Sequence, residues 1–234
     1  MKDIKQYLFS IFFPKRCKYC GCVIDMRGEL CNTCEKTLMK IEGEICKRCG
    51  VSKDLCSCGG KKSYYEGICA PFYYEGAVSK AIWNLKFRNK TEFAETLAEE
   101  MARCFQERLS EYDFDYCTFV PSAKEDIKKR GYNQADLLAR KVGTLIDIPC
   151  KELLIKNRPT KPQHTLPEMK RSGNLLGCFE VKDGEEFENA RILLCDDVKT
   201  TGATLNECAK TLLIGGASEV FCLTAAITSR HKEE

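Results

Sequence analysis

The sequence predicts an α/β protein in which an open, mostly parallel sheet is flanked by helices and preceded by a small cysteine-rich domain. Three observations support this fold class. The apolar run Ile192–Cys195 has the length and composition of a buried parallel strand. It leads through a polar loop into an amphipathic stretch with helical spacing, which is the order of a strand–helix unit. Nine of the 17 cysteines lie between Cys17 and Cys58, which sets a thiol-rich head apart from the rest of the chain.

The thiol-rich head shows the paired cysteine spacing of zinc ribbons. Eight cysteines form two candidate sites, namely Cys17, Cys20, Cys31 and Cys34 in the first and Cys46, Cys49, Cys56 and Cys58 in the second. Each set supplies the four thiolates that tetrahedral Zn²⁺ accepts, and a site filled by protein on every side is structural rather than catalytic. Cys22 is a spare thiol that could compete in the first site, and an iron–sulfur cluster is the alternative occupant. We expect a first domain of residues 1–62, made up of a helix and the two sites, and a second domain of residues 63–234.

Cysteine use also indicates the compartment. A disulfide scaffold would need an oxidising compartment, whereas Leu8–Phe13 is too short to span a bilayer and no small-residue cleavage site follows it. We therefore expect a cytoplasmic protein with metal-bound thiolates and no transmembrane segment. Residues 1–70 carry 13 basic and 8 acidic side chains. Because two four-thiolate zinc sites would cancel most of that excess, the basic head is weak support for DNA binding.

Hydrophobic periodicity places the elements of the second domain. Alternating apolar residues predict a hairpin or strand pair over residues 63–74. Periodicity also predicts helices over residues 77–88, 93–109 and from 135 onward, and strands over residues 116–120 and 219–228. Trp83 is expected in the core. Lys86 and Arg88 are interpreted as a solvated helix end, although both could reach an anionic ligand.

Two adjacent carboxylates and a hydroxyl-rich loop follow the strand at Ile192–Cys195. Asp196 and Asp197 come first, and the loop Thr200–Thr204 then opens the amphipathic helix. Threonine hydroxyls and free N–H groups at a helix start form a cradle for one phosphate, and Gly202 admits close approach. Carboxylates beside a phosphate suit sugar hydroxyls, or a Mg²⁺ ion that bridges to a polyphosphate.

This order predicts a sugar phosphate bound at the carboxyl ends of the parallel strands, where open α/β sheets bind their ligands. An ordinary strand followed by an N-capped helix is the alternative. A simple cap explains neither the paired acids nor the repeated threonines.

Two further polar segments are candidates for the same site. Ser122 lies in the loop after the strand at residues 116–120, and Arg130 lies in a basic turn before the next helix. A solvated basic turn is the alternative interpretation of Arg130. Residues 157–174 form a long loop with three prolines and many hydrogen-bonding side chains, which favours a lid over a flexible linker.

Taken together, these motifs resemble the ComF family, the phosphoribosyltransferase-like proteins linked to DNA uptake in natural competence. Residues 195–204, Cys-Asp-Asp-Val-Lys-Thr-Thr-Gly-Ala-Thr, are similar to the phosphoribosyl pyrophosphate (PRPP) signature of type I phosphoribosyltransferases. The double zinc ribbon, the run Arg-Gly-Tyr-Asn-Gln-Ala at residues 130–135 and the polar lid also resemble the family pattern. The resemblance covers nearly the whole chain. It departs at Ser122-Ala123, where family members often have a proline-containing loop that resembles the pyrophosphate-contacting segment.

The resemblance implies a type I phosphoribosyltransferase-like fold, structural Zn²⁺ and a site for PRPP with Mg²⁺. The PRPP-binding residues it implies are Ser122, Arg130, Arg158, Asp196, Asp197, Val198, Lys199, Thr200, Thr201, Gly202, Ala203 and Thr204. The implied catalytic residues are Asp196, Asp197 and Arg171. The two acids would bind the ribose hydroxyls, and the threonine loop would bind the 5′-phosphate. The lid arginines Arg158 and Arg171 would stabilise the negative charge that develops on the pyrophosphate.

Two classes of function follow from the resemblance. One is a PRPP- and Mg²⁺-binding protein that handles incoming single-stranded DNA together with competence-machinery proteins. The alternative is an active phosphoribosyltransferase that acts on an unidentified acceptor in nucleotide metabolism without binding DNA. DNA handling needs aromatic stacking platforms in a basic groove, and the candidates, each equally well explained by packing, are Tyr19, Tyr64, Tyr65 and Tyr132. The chain contains no Gly-x4-Gly-Lys-Ser/Thr loop, which argues against an ATP-driven motor.

Overall fold

The computed structural model describes most of the chain, namely residues 14–25, 27–59, 62–88, 90–157 and 177–229. The short N-terminal helix predicted before Pro14 and the lid predicted over residues 157–174 lie outside these residues, apart from Asn157. Within the described part of the chain, no helix is long and apolar enough to cross a membrane.

The cysteine-rich head contains little regular structure, with helix α1 (Asn32–Thr37) and a 3₁₀ turn (Lys53–Leu55). Strands and helices alternate through the rest of the chain. In order they are β1 (Gly67–Cys69), β2 (Phe72–Tyr73), α2 (Gly76–Phe87), α3 (Glu92–Arg108), β3 (Tyr116–Phe119), α4 (Lys124–Arg130), α5 (Gln134–Ile146), β4 (Leu154–Lys156), β5 (Phe179–Val181), β6 (Arg191–Lys199), α6 (Ala203–Ile214) and β7 (Glu219–Ile227).

A parallel sheet with the strand order β1-β7-β6-β3 forms the centre of the fold. In β6, Cys195 lies opposite Leu223 of β7 on one side and Phe119 of β3 on the other. The apolar run Ile192–Cys195 is completely buried, because the neighbouring strands and the helices packed on the sheet exclude water from it. The predicted fold class, an open parallel sheet flanked by helices, is therefore confirmed.

Residues 63–74 differ from the prediction, because the two strands they contain do not pair with each other. β1 and β2 both pair in parallel with β7, Gly67 opposite Phe221 and Phe72 opposite Ala226. They are two successive pieces of one sheet edge. The break between them falls at Pro71, which has no N–H group to donate to a neighbouring strand.

The other periodic segments fold as predicted, with helices α2, α3 and α5 and strands β3 and β7 close to the expected bounds. Two features were not predicted. The basic turn before Gly131 is the short helix α4, which this glycine ends in the left-handed conformation at φ +83°. β4 and β5 form a separate antiparallel pair, with Leu154 opposite Val181.

The expectation that Trp83 lies in the core is wrong, since 45% of this residue is exposed. Helix α2 turns its apolar stripe of Val78, Ile82 and Leu85 toward the sheet domain, and all three are fully buried. Trp83 follows Ile82 by about 100° around the helix and therefore lies outside the stripe.

The cysteine-rich head packs directly on the sheet. Its buried side chains belong to the same apolar cluster as the strands, and they include Cys17, Tyr19, Cys34, Ile41 and Val51. The Tyr19 ring meets Phe72 of β2 edge-on, with ring centroids 5.9 Å apart. In the backbone, the N–H of Ile68 donates to the carbonyl of Lys47 at 2.9 Å. The head and the sheet share one core, and the domain boundary after residue 62 stays a prediction.

Candidate functional site

The carboxyl ends of β3 and β6 lie side by side and bring the candidate residues to one edge of the sheet. The N–H of Val120, just after β3, donates to the carbonyl of Cys195 at 3.0 Å. β6 continues through the acid pair to Lys199. Because successive strand residues point to opposite faces, the side chains of Asp196 and Asp197 leave the strand on different sides.

A lysine neutralises one of the two acids. The Nζ of Lys86, near the end of α2, lies 2.8 Å from a carboxylate oxygen of Asp197, and both side chains are largely buried. Burial acts to lower the pKa of Lys86, but the charges of Asp197 and Asp196 outweigh it and raise the pKa above its ordinary value. Burial and the charge of Asp197 raise the pKa of Asp196 to about 8. The sequence-based interpretation of Lys86 as a solvated helix end is therefore wrong.

The loop between β6 and α6 contains Thr200, Thr201 and Gly202. Gly202 adopts a left-handed φ of +82°, and a Cβ at this position would lie 3.2 Å from the Cε of Lys199. The hydroxyl oxygen of Thr201 accepts from the N–H of Ala203 at 3.3 Å. The glycine thus turns the chain sharply into a helix of three turns. The first N–H groups of this helix and the nearby hydroxyls are the donors of the predicted anion cradle, which stays a prediction.

The loop after β3 is fixed by a buried asparagine. Asn133 is 8% exposed and precedes α5 as its N-cap. Its carboxamide oxygen accepts from the Ser122 hydroxyl at 3.0 Å and from the N–H of Ala135 at 3.1 Å, and its nitrogen donates to the carbonyl of Val120 at 2.9 Å. Ser122 is therefore held at the same sheet edge as the acid pair.

Gln134, the first residue of α5, is a buried amide that sequence reasoning did not assign to the site. It is 2% exposed, and its oxygen accepts from a guanidinium nitrogen of Arg130 at 3.2 Å. Its Nε2 is buried and has no hydrogen-bond partner among the described residues. Leaving a buried donor unpaired costs about 1–3 kcal/mol, so this nitrogen is a local cost to the stability of the fold.

A cavity of about 760 Å³ lies between the threonine loop and the second cysteine cluster. The head contributes Arg48, Ser57 and Lys62 to its walls, and the loop and α6 contribute Thr200, Thr201, Gly202 and Asn206. The hydroxyl of Tyr65 donates to the carbonyl of Arg48 at 2.8 Å and so joins the two sides. The acid pair does not line this cavity, which therefore adjoins the threonine loop without enclosing the whole candidate site.

The first cysteine cluster contains five thiols instead of four. The four sulfurs that lie within 4.8 Å of one another belong to Cys17, Cys20, Cys22 and Cys31. Cys34 was predicted as the fourth ligand; it is buried on α1, and its N–H donates to the sulfur of Cys31 at 3.4 Å. That N–H group is the main reason why the pKa of Cys31 falls to about 6. Cys22 joins the group because the chain turns back at Gly21, where φ is +75°.

The second cluster has the predicted composition. The sulfurs of Cys46, Cys49, Cys56 and Cys58 all lie within 4.8 Å of one another, which is compatible with a single tetrahedral ion. Burial opposes ionisation of Cys46, but the N–H groups of Cys49 and Arg48 outweigh it and lower the pKa to about 7. Thiols that ionise this readily suit metal ligation.

Comparison with known proteins agrees with this arrangement. Residues 8–71 match the double zinc ribbon domain family, and the match spans both cysteine clusters. Together the match and the two clusters support structural zinc.

Curated relatives cover most of the chain. Competence protein F of Haemophilus influenzae is 29% identical over 226 residues, which is 89% of this chain and 95% of that protein. The chain is therefore similar to this competence protein over most of its length. Competence protein ComFC of Bacillus subtilis is 28% identical and covers 80% of this chain and 79% of its own length. DNA utilization protein YhgH of Escherichia coli is 26% identical, with coverage of 83% and 89%.

Solved structures similar to this chain include phosphoribosyltransferases. One is a hypoxanthine phosphoribosyltransferase from Staphylococcus aureus, with a TM-score of 0.37, 15% identity and coverage of 57% of this chain and 62% of that one. Another is the allosteric regulatory enzyme of purine biosynthesis, with a TM-score of 0.37, 23% identity and coverage of 56% and 25%. These likenesses are partial, and the strand order of the sheet itself establishes the fold class.

The structure brings part of the predicted PRPP site together. Asp196 to Thr204 and Ser122 lie at one sheet edge, whereas Arg130 contacts Gln134 at the start of α5. Arg158 and Arg171 lie outside the described residues. Among the tyrosines proposed as stacking platforms, Tyr19 and Tyr65 are buried, Tyr132 is half-buried and Tyr64 is exposed.

Proposed function

We propose that this chain binds PRPP with Mg²⁺ at the edge of the sheet formed by the acid pair and the threonine loop. The observation that carries the proposal is the direct continuation of β6, through Asp196 and Asp197, into the loop at the start of α6. A carboxylate pair and an anion cradle on consecutive residues fit a sugar that bears a phosphate.

Each group has a role that follows from its chemistry. Asp196 and Asp197 accept hydrogen bonds from the ribose hydroxyls, and Thr200 to Thr204 donate to the 5′-phosphate. Ser122 and Arg130, which follow β3, would face the pyrophosphate. Bound Mg²⁺ would neutralise part of the charge of the pyrophosphate. The lysine beside Asp197 limits the negative charge of the site and so lowers the repulsion that an anionic ligand meets.

We also propose that the protein takes part in handling incoming single-stranded DNA during natural competence. This part of the proposal is supported by the relatives, whose names are competence protein F, ComFC and DNA utilization protein.

The test of the PRPP site is a calorimetric titration of PRPP with Mg²⁺ into the wild type and an Asp196→Asn/Asp197→Asn variant. The wild type should bind, and the double substitution should abolish binding, because an amide presents only one acceptor oxygen and no charge. Asp183→Asn, which removes an exposed carboxylate in the turn after β5, is the matched control and should bind normally. A folded, zinc-loaded wild type that does not bind PRPP would contradict the proposal.

An active phosphoribosyltransferase that acts on an unidentified acceptor is the second candidate. The cavity beside the threonine loop favours it, because a transferase must hold an acceptor next to the sugar phosphate. In such an enzyme Asp196, Asp197 and Arg171 are the proposed catalytic residues. Release of pyrophosphate from PRPP that depends on an added nucleophile would distinguish this enzyme from a binding protein.

A further inference from the structure

Two aromatic side chains stand exposed on the outer face of α2. Trp83 is 45% exposed and Phe87 is 60% exposed. Their ring centroids lie 5.8 Å apart, and the ring planes are inclined at 46°. Phe87 directly follows Lys86, the partner of Asp197, so the exposed pair adjoins the candidate site. Two large rings side by side in water indicate a surface that contacts another molecule.

Two arginines flank the ring pair. The Cζ of Arg88 lies 4.8 Å from the centroid of the Trp83 ring, and the Cζ of Arg130 lies 5.4 Å from the centroid of the Phe87 ring. The order across the surface is arginine, ring, ring, arginine. We call these four residues the aromatic–arginine surface. A planar cation over one face of each ring holds the ring in place through a cation–π contact, and the two aromatic residues stay 45% and 60% exposed.

The two elements that carry this surface are held together. The Tyr132 hydroxyl, in the turn between α4 and α5, donates to the carbonyl of Leu85 in the last turn of α2. The guanidinium of Arg130, which contacts the Phe87 ring, also donates to the carboxamide oxygen of Gln134. The platform is therefore built on rigid elements before any ligand arrives, which lowers the entropy cost of binding.

The charge on this surface is positive. The last turn of α4 carries Lys128, Lys129 and Arg130. Neither these three cations nor Arg88 takes part in any ion pair formed by the described residues. Single-stranded nucleic acid complements such a surface, because its bases stack on rings and its phosphates attract cations. A protein partner could use the rings, but it would have to supply a matching set of carboxylates.

We propose that the aromatic–arginine surface is a stacking platform for single-stranded nucleic acid. The proposal rests on the DNA-handling part of the proposed function and assigns it a place. The single-stranded nucleic acid binds on the face formed by α2 and α4, beside the sugar phosphate site. The zinc ribbons are not its primary contact. It also replaces the tyrosines Tyr19 and Tyr65, whose burial prevents stacking on a base.

The full-length, zinc-loaded chain contains its own reporter, because Trp83 is its single tryptophan. The probe is a dye-labelled oligothymidylate of about 12 nucleotides, a length that suits one single-strand site. Binding should quench the tryptophan emission in step with a rise in the anisotropy of the dye. Both signals should weaken together as salt is added. The cationic side chains release counterions from the nucleic acid when they bind it, and added salt opposes that release.

Variants then locate the site. Trp83→Ala and Phe87→Ser should each weaken oligonucleotide binding about tenfold, the loss expected for one stacked base. Tyr64→Ala is the matched control, because Tyr64 is also exposed and also lies near a cation, Lys210, at 5.7 Å. It should bind like the wild type. All three variants should bind PRPP normally, which shows that they are folded.

Two results would overturn the proposal. Salt-dependent oligonucleotide binding with unchanged tryptophan emission and normal affinity in Trp83→Ala would place the DNA elsewhere and leave the proposed DNA handling intact. A flat oligonucleotide titration in low salt, by protein that binds PRPP, would remove both the platform and the DNA-handling role and would favour a protein partner. The sugar phosphate site would survive either result.

Discussion

The Nζ of Lys86 lies 2.8 Å from a carboxylate oxygen of Asp197, with side chains that are 25% and 10% exposed. This ion pair joins the end of α2 to the end of β6. It holds the helix that carries Trp83 and Phe87 against the strand that carries the acid pair. Because both partners are largely buried, each would be left as an uncompensated charge if the other were removed.

Removal of either partner should therefore destabilise the protein more than removal of both. We expect Lys86→Met and Asp197→Asn each to lower the free energy of unfolding by about 1–3 kcal/mol, and the double variant to recover part of that loss. Urea denaturation of the four proteins measures the coupling. Lys80→Met, at an exposed position on the same helix, is the control and should change stability little. Strictly additive losses would mean that the pair is not coupled in solution.

Asp196→Asn should stabilise the protein as pH rises. The pKa of Asp196 is about 8 in the folded state against an ordinary value of 3.8, so between about pH 4 and 8 the folded state binds more protons at this site than the unfolded state. The free energy of unfolding of the wild type therefore falls through this range, whereas an asparagine contributes no such slope. At pH 8 the variant should be more stable by at least about 1 kcal/mol, and near pH 4 the difference should vanish.

Thermal unfolding at several pH values tests this expectation. Asp183→Asn, which removes an exposed carboxylate, should follow the wild-type curve. A constant difference between Asp196→Asn and the wild type at every pH would show that the pKa of Asp196 is the same in the folded and the unfolded protein. Stabilisation by loss of a group that binds ligand is typical of functional sites.

The five thiols of the first cluster make a prediction about zinc content. Zn²⁺ takes four ligands, and we expect Cys34 to replace Cys22 among them. The Cys34 side chain interacts with the thiols of Cys31, Cys20 and Cys17 and is buried, whereas Cys22 is exposed. Elemental analysis should find two zinc ions per chain in the wild type and in Cys22→Ser, and one in Cys34→Ser. Cys49→Ser, in the second cluster, gives the reference value for loss of one ion. Retention of both ions in Cys34→Ser with loss in Cys22→Ser would reverse the assignment.

Much of the fold follows from local sequence patterns. The apolar run Ile192–Cys195 predicts a buried strand, and the spacing of Val78, Ile82 and Leu85 predicts the buried face of α2. The same stripe places Trp83 outside that face, although its residue type suggests the core. Periodicity is the stronger signal here, because a helix can bury only one stripe.

The features that could not be predicted depend on partners distant in sequence. Strand pairing is one, since nothing in residues 63–74 indicates that both short strands pair with β7 instead of with each other. The pairing of Lys86 with Asp197 is another, because it requires the packing of α2 against the end of β6. The same holds for Cys22, which joins the first cluster through a turn whose geometry depends on Gly21.

Gly50 should contribute to the packing of the second zinc ribbon on the sheet. It adopts φ +75°, and a Cβ there would lie 2.3 Å from the Cδ1 of Ile227, the last residue of β7. Gly43, in the same head, provides a matched control, because its φ is +69° but a Cβ would meet nothing within 4 Å. Both Gly→Ala variants incur the cost of a left-handed alanine, about 1 kcal/mol. Gly50→Ala alone also overpacks the contact with the sheet, which adds about 1–3 kcal/mol.

The consequence of the Gly50 substitution reaches the candidate site, because its neighbours Cys49 and Val51 line the cavity beside the threonine loop. Gly50→Ala should therefore lower the unfolding midpoint more than Gly43→Ala and should also weaken PRPP binding, while both variants retain two zinc ions. Equal PRPP affinity in the two variants, with the stability difference present, would show that the ribbon supports the fold without shaping the ligand site. Equal stability would mean that the ribbon moves away from β7 in solution, so that the close contact between Gly50 and Ile227 does not fix its position.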